Sequence, residues 1–319
     1  MSNLTTSIQL TQQSTYKLNN GQHIPVAGYG LYLCPDEQSK HLVYKALEAG
    51  YRHIDSAVYY GNQRSAAQAI AEFLKDHPEV KREDIWFTTK LTNDAHGYEE
   101  TKKEIALIAS EIKESLGYLD LVLLHSPKSN KERRLGTWKA LQEFVLHPQN
   151  EVLNIRSIGV SNFGVDHLEE ILNWDGLLVK PVLNQLELHP WLPRLELREY
   201  LCKHDILAEA YSPLTQGYML NDPELLELEK KSGISKIEIL IKWSYLQGFV
   251  VLVKTEKEER IAQNLNILPK GNNDILGETS NLGKIELPSS VLEALDKPDS
   301  HVVLTWDNVD PTLYKDGDI

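Results

Sequence analysis

The sequence predicts an α/β fold: a TIM-type (β/α)8 barrel with an N-terminal β-hairpin, two extra helices and a C-terminal lid or tail. Eight short apolar runs alternate with longer amphipathic segments, a pattern typical of parallel strands that are buried on both faces. Three successive runs each end on a polar, ionisable residue, and a parallel strand–helix arrangement brings such strand ends together. Asn20-Gly21 lies between two β-prone segments ahead of the first run, which predicts the hairpin.

The chain of 319 residues is expected to form a single domain, because α/β barrels run long as one unit. We expect a flexible N-terminus at 1–14, a hairpin at 15–26 that closes the bottom of the barrel, and the barrel itself at 27–266. An insertion and a tail over the active site are expected at 267–319, with the insertion in the Gly- and Asn-rich stretch 270–284. The eight strands are predicted near 27–33, 52–57, 84–90, 119–125, 156–161, 182–188, 206–212 and 250–254.

Helical patterns lie between these strands. The first predicted helix ends on Gly50 and the third on Gly117, and glycine is the favoured residue just past a helix end. The segment before the last strand has two amphipathic stretches instead of one, DPELLELEKKSG and KIEILIKWSYLQG. These are the two extra helices of the predicted fold.

Composition limits the classes of partner. The formal net charge of −13 argues against nucleic acid or an anionic membrane as the main partner. Cys34 and Cys202 are too few for a disulfide framework, so a reducing compartment and a cytoplasmic location are expected. The first residues, MSNLTTSIQL, show no signal peptide, and no transmembrane span is evident.

Four residues at or just after strand ends form a candidate acid–base group: Asp55, Tyr60, Lys90 and His125. A free phenol has a pKa of about 10, so a phenol that exchanges its proton near neutrality needs a positive charge beside it. Lys90 can supply that charge, and Asp55 can orient Lys90. His125 can donate to a substrate oxygen at the same point.

The motifs HIDSAVYYGN, TTKL, LLHSP, SIGVSNF, LNQLELHP, EAYSPL and KT…ER…N, in this order, closely resemble the aldo-keto reductases. The chain looks most similar to the small fungal carbonyl and aldose-type reductases of that family. The resemblance implies a catalytic tetrad of Asp55, Tyr60, Lys90 and His125. The family's spacing selects Tyr60 over its neighbour Tyr59. Hydride would pass from a nicotinamide to a carbonyl carbon while Tyr60 protonates the oxygen, and no metal is implied.

The resemblance also implies NADPH as the cofactor, whereas no GxGxxG segment supports a Rossmann site. The positions that match the nicotinamide end are Ser161, Asn162, Gln185 and Tyr211, of which the last would stack on the ring. Those that match the diphosphate region are Ser212, Leu214 and Gln216. Those that match the adenosine 2′-phosphate and adenine are Lys254, Thr255, Arg260, Gln263 and Asn264. Gln263 replaces the family's usual Glu, a change that could loosen the cofactor clamp or shift the NADPH preference.

The substrate pocket is expected to be wide and polar. Thr92 and Ser126 stand where many aldose reductases have aromatic residues. Tyr32 and, from the tail, Trp306 are predicted to line the pocket together with Tyr59 or Tyr60. Trp86 is a further candidate for the pocket, although an aromatic residue at this position could equally belong to the core.

The leading hypothesis is an NADPH-dependent reductase of aldehydes and ketones, including keto esters and aldoses. One alternative is a polyol or sugar alcohol dehydrogenase. Another is a cofactor-binding regulatory subunit without significant turnover. A metal-dependent hydrolase would need a set of ligands at the strand ends, and His53 and His189 with their acidic neighbours do not provide one. The expected partner is a small carbonyl compound, with a monomer favoured over a dimer.

Overall fold

The structure, a computed structural model, describes residues 4–271 and 283–318. The strands among these residues are β1 (Ser7–Gln9), β2 (Thr15–Lys17), β3 (His23–Pro25), β4 (Ala27–Gly30), β5 (His53–Asp55), β6 (Trp86–Leu91), β7 (Tyr118–Leu119), β8 (Leu121–Leu124), β9 (Asn154–Ile155), β10 (Ile158–Ser161), β11 (Leu183–Glu187), β12 (Leu207–Tyr211), β13 (Val250–Val253) and β14 (Lys284–Glu286). The helices are α1 (Asp36–Ala49), α2 (Gln63–Asp76), α3 (Tyr98–Leu116), α4 (Lys131–Leu146), α5 (Val165–Leu172), α6 (Leu195–Lys203), α7 (Pro223–Ser232), α8 (Lys236–Leu246), α9 (Glu258–Leu265) and α10 (Ser289–Ala294).

Eight parallel strands close into a barrel, and the predicted fold class is confirmed. The order around the barrel is β4, β5, β6, β8, β10, β11, β12 and β13, and β13 pairs with β4 to complete the ring. Every residue of β6, β8, β10 and β11 is buried, because helices cover the outer face and side chains fill the interior. The carboxyl ends of all eight strands therefore lie at one rim.

Local sequence signals explain most of the helices. The left-handed residue Gly50 (φ 112°) ends α1, and its N–H bonds the carbonyl oxygens of Ala46 and Leu47. The two extra helices before the last barrel strand are present as α7 and α8, which Asp222 and Ser235 cap through their side chains.

The sequence patterns did not identify α4. Its buried side includes Arg134, Thr137 and Gln142, so the apolar period that indicates a helix is broken there.

The predicted hairpin is present and covers the amino-terminal end of the barrel. Strands β2 and β3 are antiparallel, with Tyr16 opposite Ile24. Ile24 and Leu18 belong to the same apolar cluster as Trp86 and Val250, the first residues of β6 and β13. This packing closes the end of the barrel opposite the candidate site.

The N-terminus differs from the prediction of a flexible segment at 1–14. Ser7–Gln9 forms β1, which pairs antiparallel with Lys284–Glu286 near the other end of the chain. Leu10 lies buried in the main core, and Leu10 N–H donates to the carbonyl of Gly283 at 3.1 Å. The partner strand lies some 275 residues away in sequence, so no local pattern signals the pairing. The predicted insertion at 270–284 falls mostly outside the described residues.

Ion pairs hold the C-terminal tail against the barrel rim. Arg194 pairs with Asp310 at 2.8 Å, and both side chains are almost fully buried. Arg134, also buried, pairs with Asp316 at 2.8 Å. The backbone of the tail passes so close to Gly164 that a Cβ on this glycine would lie 2.0 Å from the carbonyl oxygen of Thr312. Within the described residues, we find no helix whose length and apolar character would let it span a membrane.

Candidate active site

Asp55, Lys90 and Tyr60 meet at the carboxyl rim of the barrel. Asp55 ends β5 and Lys90 lies near the end of the neighbouring β6. Lys90 Nζ donates to Asp55 Oδ1 at 2.7 Å, to the carbonyl oxygen of Ser56 at 2.8 Å and to Tyr60 Oη at 3.3 Å. A single 3-10 turn, Val58–Tyr60, follows β5 and carries the phenol back over the rim. The sequence-predicted group is therefore brought together.

His125 completes the group from the next barrel strand, directly after β8. Its ring meets that of Tyr60 edge-on, with the centroids 5.8 Å apart. The side-chain amide of Asn162 donates to the backbone carbonyl of His125 at 2.9 Å. Within the described chain, His125 Nδ1 is buried and has no hydrogen-bond partner.

The geometry separates the two adjacent tyrosines. Tyr59 is about half exposed (51%), and its hydroxyl accepts from the backbone N–H of Asn93 at 3.0 Å. Tyr60 is more buried and has its hydroxyl on Lys90. Of the two, only Tyr60 has a hydroxyl within hydrogen-bond distance of the ammonium group.

Burial controls the ionisation of both aromatic partners. It raises the pKa of Tyr60 well above 10, and the negative charge of Asp55 raises it further. The positive charge that the sequence predicted beside the phenol is present as Lys90, but it does not outweigh burial and the charge of Asp55. Burial, followed by the charge of Lys90, lowers the pKa of His125 well below 6.5. Near neutral pH, both Tyr60 and His125 are therefore uncharged.

A second group of predicted residues is hydrogen-bonded to the first. Gln185 Nε2 donates to Asp55 Oδ2 at 2.9 Å, and Ser161 Oγ donates to the backbone carbonyl of Gln185 at 2.9 Å. Tyr211 Oη donates to Asn162 Oδ1 at 2.8 Å. The four positions predicted for the nicotinamide end thus form one continuous polar network that includes Asp55.

The loop after β12 carries the three positions predicted for the diphosphate region. Ser212 and Gln216 have left-handed backbones, with φ values of 53° and 50°, and so does the intervening Thr215 at 55°. Gln216 is exposed, whereas Ser212 and Leu214 are half-buried. This run of unusual backbone angles folds the loop tightly beside Tyr211.

The remaining predicted cofactor positions lie after β13 and on α9. Lys254 forms an ion pair with Glu256, and the carbonyl of Thr255 accepts from Tyr29 Oη at 2.5 Å. Three positions on α9, spaced to share one side of the helix, complete the set. They are Arg260 and Gln263, which are exposed, and Asn264, which is largely buried (8%).

Tyr32 and Trp306 both reach the tetrad. The ring centroid of Tyr32 lies 5.3 Å from that of Tyr60, and the centroid of Trp306 lies 5.8 Å from that of His125. Trp86 is not in the pocket: it is 4% exposed at the hairpin end of the barrel, and its Nε1 donates to Thr88. As the first residue of β6, it lies at the opposite end of the strand from Lys90.

Sequence reasoning missed the residue that fixes the tail above the site. Glu187, buried at the end of β11, accepts hydrogen bonds from Leu304 N at 2.9 Å and from Thr305 Oγ1 at 2.6 Å. The neighbouring His189 contacts the same carboxylate at 3.0 Å. The Glu187–His189 pair thus joins the tail to the barrel. Within the described part of the chain, no group of three or more His, Cys, Asp or Glu side chains could hold a metal ion.

Comparisons with known proteins agree with this arrangement. The Aldo/keto reductase family model matches residues 30–274. The chain is 38% identical over 296 residues to the uncharacterized oxidoreductase YJR096W of Saccharomyces cerevisiae, covering 92% of this chain and 98% of the relative. It is 34% identical over 287 residues to glycerol 2-dehydrogenase (NADP(+)) of Hypocrea jecorina (79% and 87%), and 33% identical over 308 residues to the aldehyde reductase YPR1 of S. cerevisiae (88% and 94%).

Two solved structures are also similar to this chain over almost its whole length. An aldo/keto reductase from Brucella melitensis is 37% identical, with a TM-score of 0.74, over 92% of this chain and 100% of that one. A mutant of Gox0644 in complex with NADPH is 30% identical, with a TM-score of 0.75, over 95% of this chain and 99% of that one.

Proposed function

This chain belongs to the aldo/keto reductase family, and we propose that it is an NADPH-dependent reductase that converts aldehydes and ketones, including keto esters and aldoses, into alcohols. The observation that carries the proposal is the contact of Tyr60 Oη with Lys90 Nζ, which Asp55 holds in place. That contact puts a proton donor and a buried cation at one point of the barrel rim. Two of the relatives support the same class of reaction, because one is named as an aldehyde reductase and the other as a glycerol 2-dehydrogenase (NADP(+)).

Tyr60 is the proposed general acid. Because burial raises the pKa of its phenol well above 10, Tyr60 keeps its proton across the neutral range. A bound reduced nicotinamide coenzyme would supply the hydride for the carbonyl carbon. As negative charge develops on the carbonyl oxygen, the Tyr60 hydroxyl proton moves to that oxygen and completes the alcohol. Lys90 stabilises the phenolate that remains until solvent returns the proton.

His125 has a different proposed role. Its imidazole is neutral at pH 7 because burial and the charge of Lys90 lower its pKa, so it can donate one N–H without carrying charge. The packing of its ring against Tyr60 lets the phenol and the imidazole approach one carbonyl oxygen. We assign His125 to orienting the carbonyl group and stabilising its developing charge.

The chain's polar groups fit the proposed coenzyme. Gln185, Ser161 and Asn162 offer amide and hydroxyl groups beside the tetrad, and Tyr211 offers a ring at the same rim. Ser212, Leu214 and Gln216 lie on the adjoining loop. Lys254, Thr255, Arg260, Gln263 and Asn264 would hold the adenosine end, where lysine and arginine suit a phosphate dianion.

Alcohol oxidation is a second candidate for the direction that matters physiologically. The glycerol 2-dehydrogenase (NADP(+)) of H. jecorina is named for that direction and is 34% identical to this chain. The same residues serve both directions, since Tyr60 as phenolate would accept the alcohol proton. The cytoplasmic location and the monomeric state stay predictions.

The test is to follow NADPH consumption by absorbance with aromatic aldehydes, keto esters and aldoses, beside NADH and beside NADP⁺ with polyols. We expect turnover with NADPH that exceeds turnover with NADH. Tight NADPH binding without turnover on any substrate in either direction would contradict the proposal and favour a regulatory subunit.

A further inference from the structure

Glu209 is a buried carboxyl group to which the proposed chemistry gives no role. It lies in the middle of β12, paired in register with Gln185 of β11, and its side chain is fully buried inside the barrel. Removing a carboxyl group from water is costly unless it is paired or protonated. The contacts that it makes therefore call for an explanation.

Glu209 and Asp55 share one donor. Gln185 Nε2 donates to Glu209 Oε2 at 2.7 Å and to Asp55 Oδ2 at 2.9 Å. A primary amide has two N–H hydrogens, so both are used. No hydrogen bond reaches Gln185 Oε1 from the described residues, so this oxygen is the one polar atom of the amide that is left for a ligand.

The surroundings of Glu209 favour its neutral form. Burial, followed by the negative charge of Asp55, raises its pKa to about 8, and the hydrogen bond from Gln185 and the charge of Lys90 only partly oppose the rise. On the side away from Gln185, the facing group is His53, whose Nε2 lies 3.6 Å from Glu209 Oε1 and whose pKa burial lowers to about 3. At pH 7, Glu209 therefore presents a neutral carboxyl group whose Oε2 accepts from Gln185.

We propose that Glu209 is a positioning residue for cofactor recognition: it receives the second N–H of Gln185 and so holds that amide with its oxygen free for the carboxamide of the nicotinamide. A reversed amide would place Gln185 Oε1 against the carboxylate of Asp55, which repels it. Without Glu209, the second N–H would be a buried donor with no acceptor, and the amide would lose its fixed orientation. This inference rests on the proposed use of a nicotinamide coenzyme.

The experiment compares the ligand affinities of the wild type, Glu209→Leu and Glu209→Gln, measured by tryptophan fluorescence at pH 7. The ligands are NADPH, its 3-acetylpyridine analogue, in which a methyl group replaces the amide nitrogen, and 2′-phospho-ADP-ribose, which lacks the nicotinamide. We expect Glu209→Leu to weaken NADPH binding about tenfold and to leave the other two ligands within about twofold, as the loss of one oriented hydrogen bond predicts. Glu209→Gln keeps an acceptor oxygen and should bind NADPH within about twofold of wild type.

Thr88→Val is the matched control. Thr88 is fully buried in the same barrel interior and bonds Trp86 and His53, but not Gln185. This variant removes a buried polar group and should leave all three affinities unchanged. Equal weakening of the three ligands by Glu209→Leu would show a general loss of structure and would overturn the inference, as would no weakening at all.

The wild-type protein alone gives a further test, which serves if Glu209→Leu does not fold. If Gln185 Oε1 receives the carboxamide N–H, wild type should bind the acetyl analogue about tenfold more weakly than NADPH. Equal affinities would overturn the assignment of Gln185 and, with it, of Glu209. Wild type that binds 2′-phospho-ADP-ribose but not NADPH, or neither ligand, would contradict the proposed function itself.

Discussion

Trp306 Nε1 donates a hydrogen bond to Tyr211 Oη at 3.1 Å, which joins the C-terminal tail to the last residue of β12. The same indole ring packs edge-on against His125, and Lys128 Nζ lies 5.1 Å from its centroid. Trp306, Asp307 and Asn308 all have positive φ values, of 52°, 56° and 62°. The tail thus holds a large ring over the tetrad through an unusual backbone turn, which Glu187 anchors on its N-terminal side.

Replacing Trp306 by Ala should therefore change substrate selection more than cofactor affinity. Loss of the indole removes an apolar surface against which a bulky aromatic ring would pack, whereas a small aldehyde would not reach it. The value of kcat/KM for bulky aromatic aldehydes should therefore fall about tenfold or more relative to small aldehydes, a difference of about 1.4 kcal/mol. NADPH affinity should stay within about threefold. The measurement is kcat/KM over a panel of aldehydes of graded size.

Leu313→Ala is the control, because Leu313 is on the same tail but is 65% exposed. It should leave the order of substrates unchanged. An equal loss on every aldehyde in Trp306→Ala would place the indole outside the substrate pocket.

Replacing Tyr60 by Phe should lower kcat by about 10²- to 10⁴-fold, the usual effect of removing a general acid, while NADPH affinity is kept. Only one oxygen atom is lost, and it is the atom that contacts Lys90. The measurement is single-turnover reduction together with NADPH titration.

Tyr59→Phe is a closely matched control, since it removes the same atom from the adjacent residue. The Tyr59 hydroxyl contacts only the backbone N–H of Asn93 among the described residues, so its loss should change kcat no more than a few-fold. If the two variants reversed these results, Tyr59 and not Tyr60 would be the proton donor.

The meeting of Asp55, Lys90 and His125 could be predicted from the sequence because each lies at or beside a strand end, and the strand ends of a parallel barrel converge. Tyr60 lies on the turn after β5, and only the resemblance to the family separated it from Tyr59. Asp55, Lys90 and His125 each follow an apolar run that sets their position without knowledge of any distant residue. The barrel was predictable for the same reason, since its eight strands and most of its helices carry local periodicity.

Residues whose role depends on a distant partner could not be found in this way. Glu187 holds Leu304 and Thr305, which lie more than a hundred residues further along the chain. Glu209 reads as an interruption of the apolar run in β12 until Gln185 is seen beside it. The sequence likewise shows the charge of Lys90 but not the depth of burial that keeps the pKa of Tyr60 above 10.

Lys254→Ala and Arg260→Ala should each raise KM for NADPH about tenfold or more and should change KM for NADH by less than about twofold. The reason is that only NADPH carries the 2′-phosphate that these cations would bind. Steady-state kinetics with each coenzyme measures the difference. Equal effects on the two coenzymes would remove both residues from a phosphate site.

The ion pair of Lys254 with Glu256 allows an opposite change. A phosphate dianion and the Glu256 carboxylate would compete for the same ammonium group. Glu256→Gln should therefore lower KM for NADPH and increase the preference for NADPH over NADH. Lys257 is the exposed neighbour of Glu256, and the control variant Lys257→Gln should change neither quantity in this way. A lower NADPH preference in Glu256→Gln would contradict the competition.

Buried imidazoles predict a loss of stability in acid. Burial lowers the pKa values of His53 and His96 to about 3, compared with about 6.5 in the unfolded chain. Above pH 6.5, neither state binds the extra proton. As the pH falls from 6.5 toward 3, the unfolded state binds it and the folded state does not, so each such residue lowers the free energy of unfolding by up to about 1.4 kcal/mol per pH unit.

Comparing wild type with His96→Gln isolates the contribution of one of these imidazoles. Glu209, whose pKa is raised to about 8, changes stability in the opposite direction, but it does so in both proteins and therefore cancels from the comparison. Urea unfolding at pH 7.5, 6.0 and 5.0 should show the stability of wild type falling relative to His96→Gln as the pH decreases. His147 is exposed, so His147→Gln should follow wild type at every pH. A stability difference between wild type and His96→Gln that is constant with pH would mean that His96 is protonated equally in the folded and unfolded states.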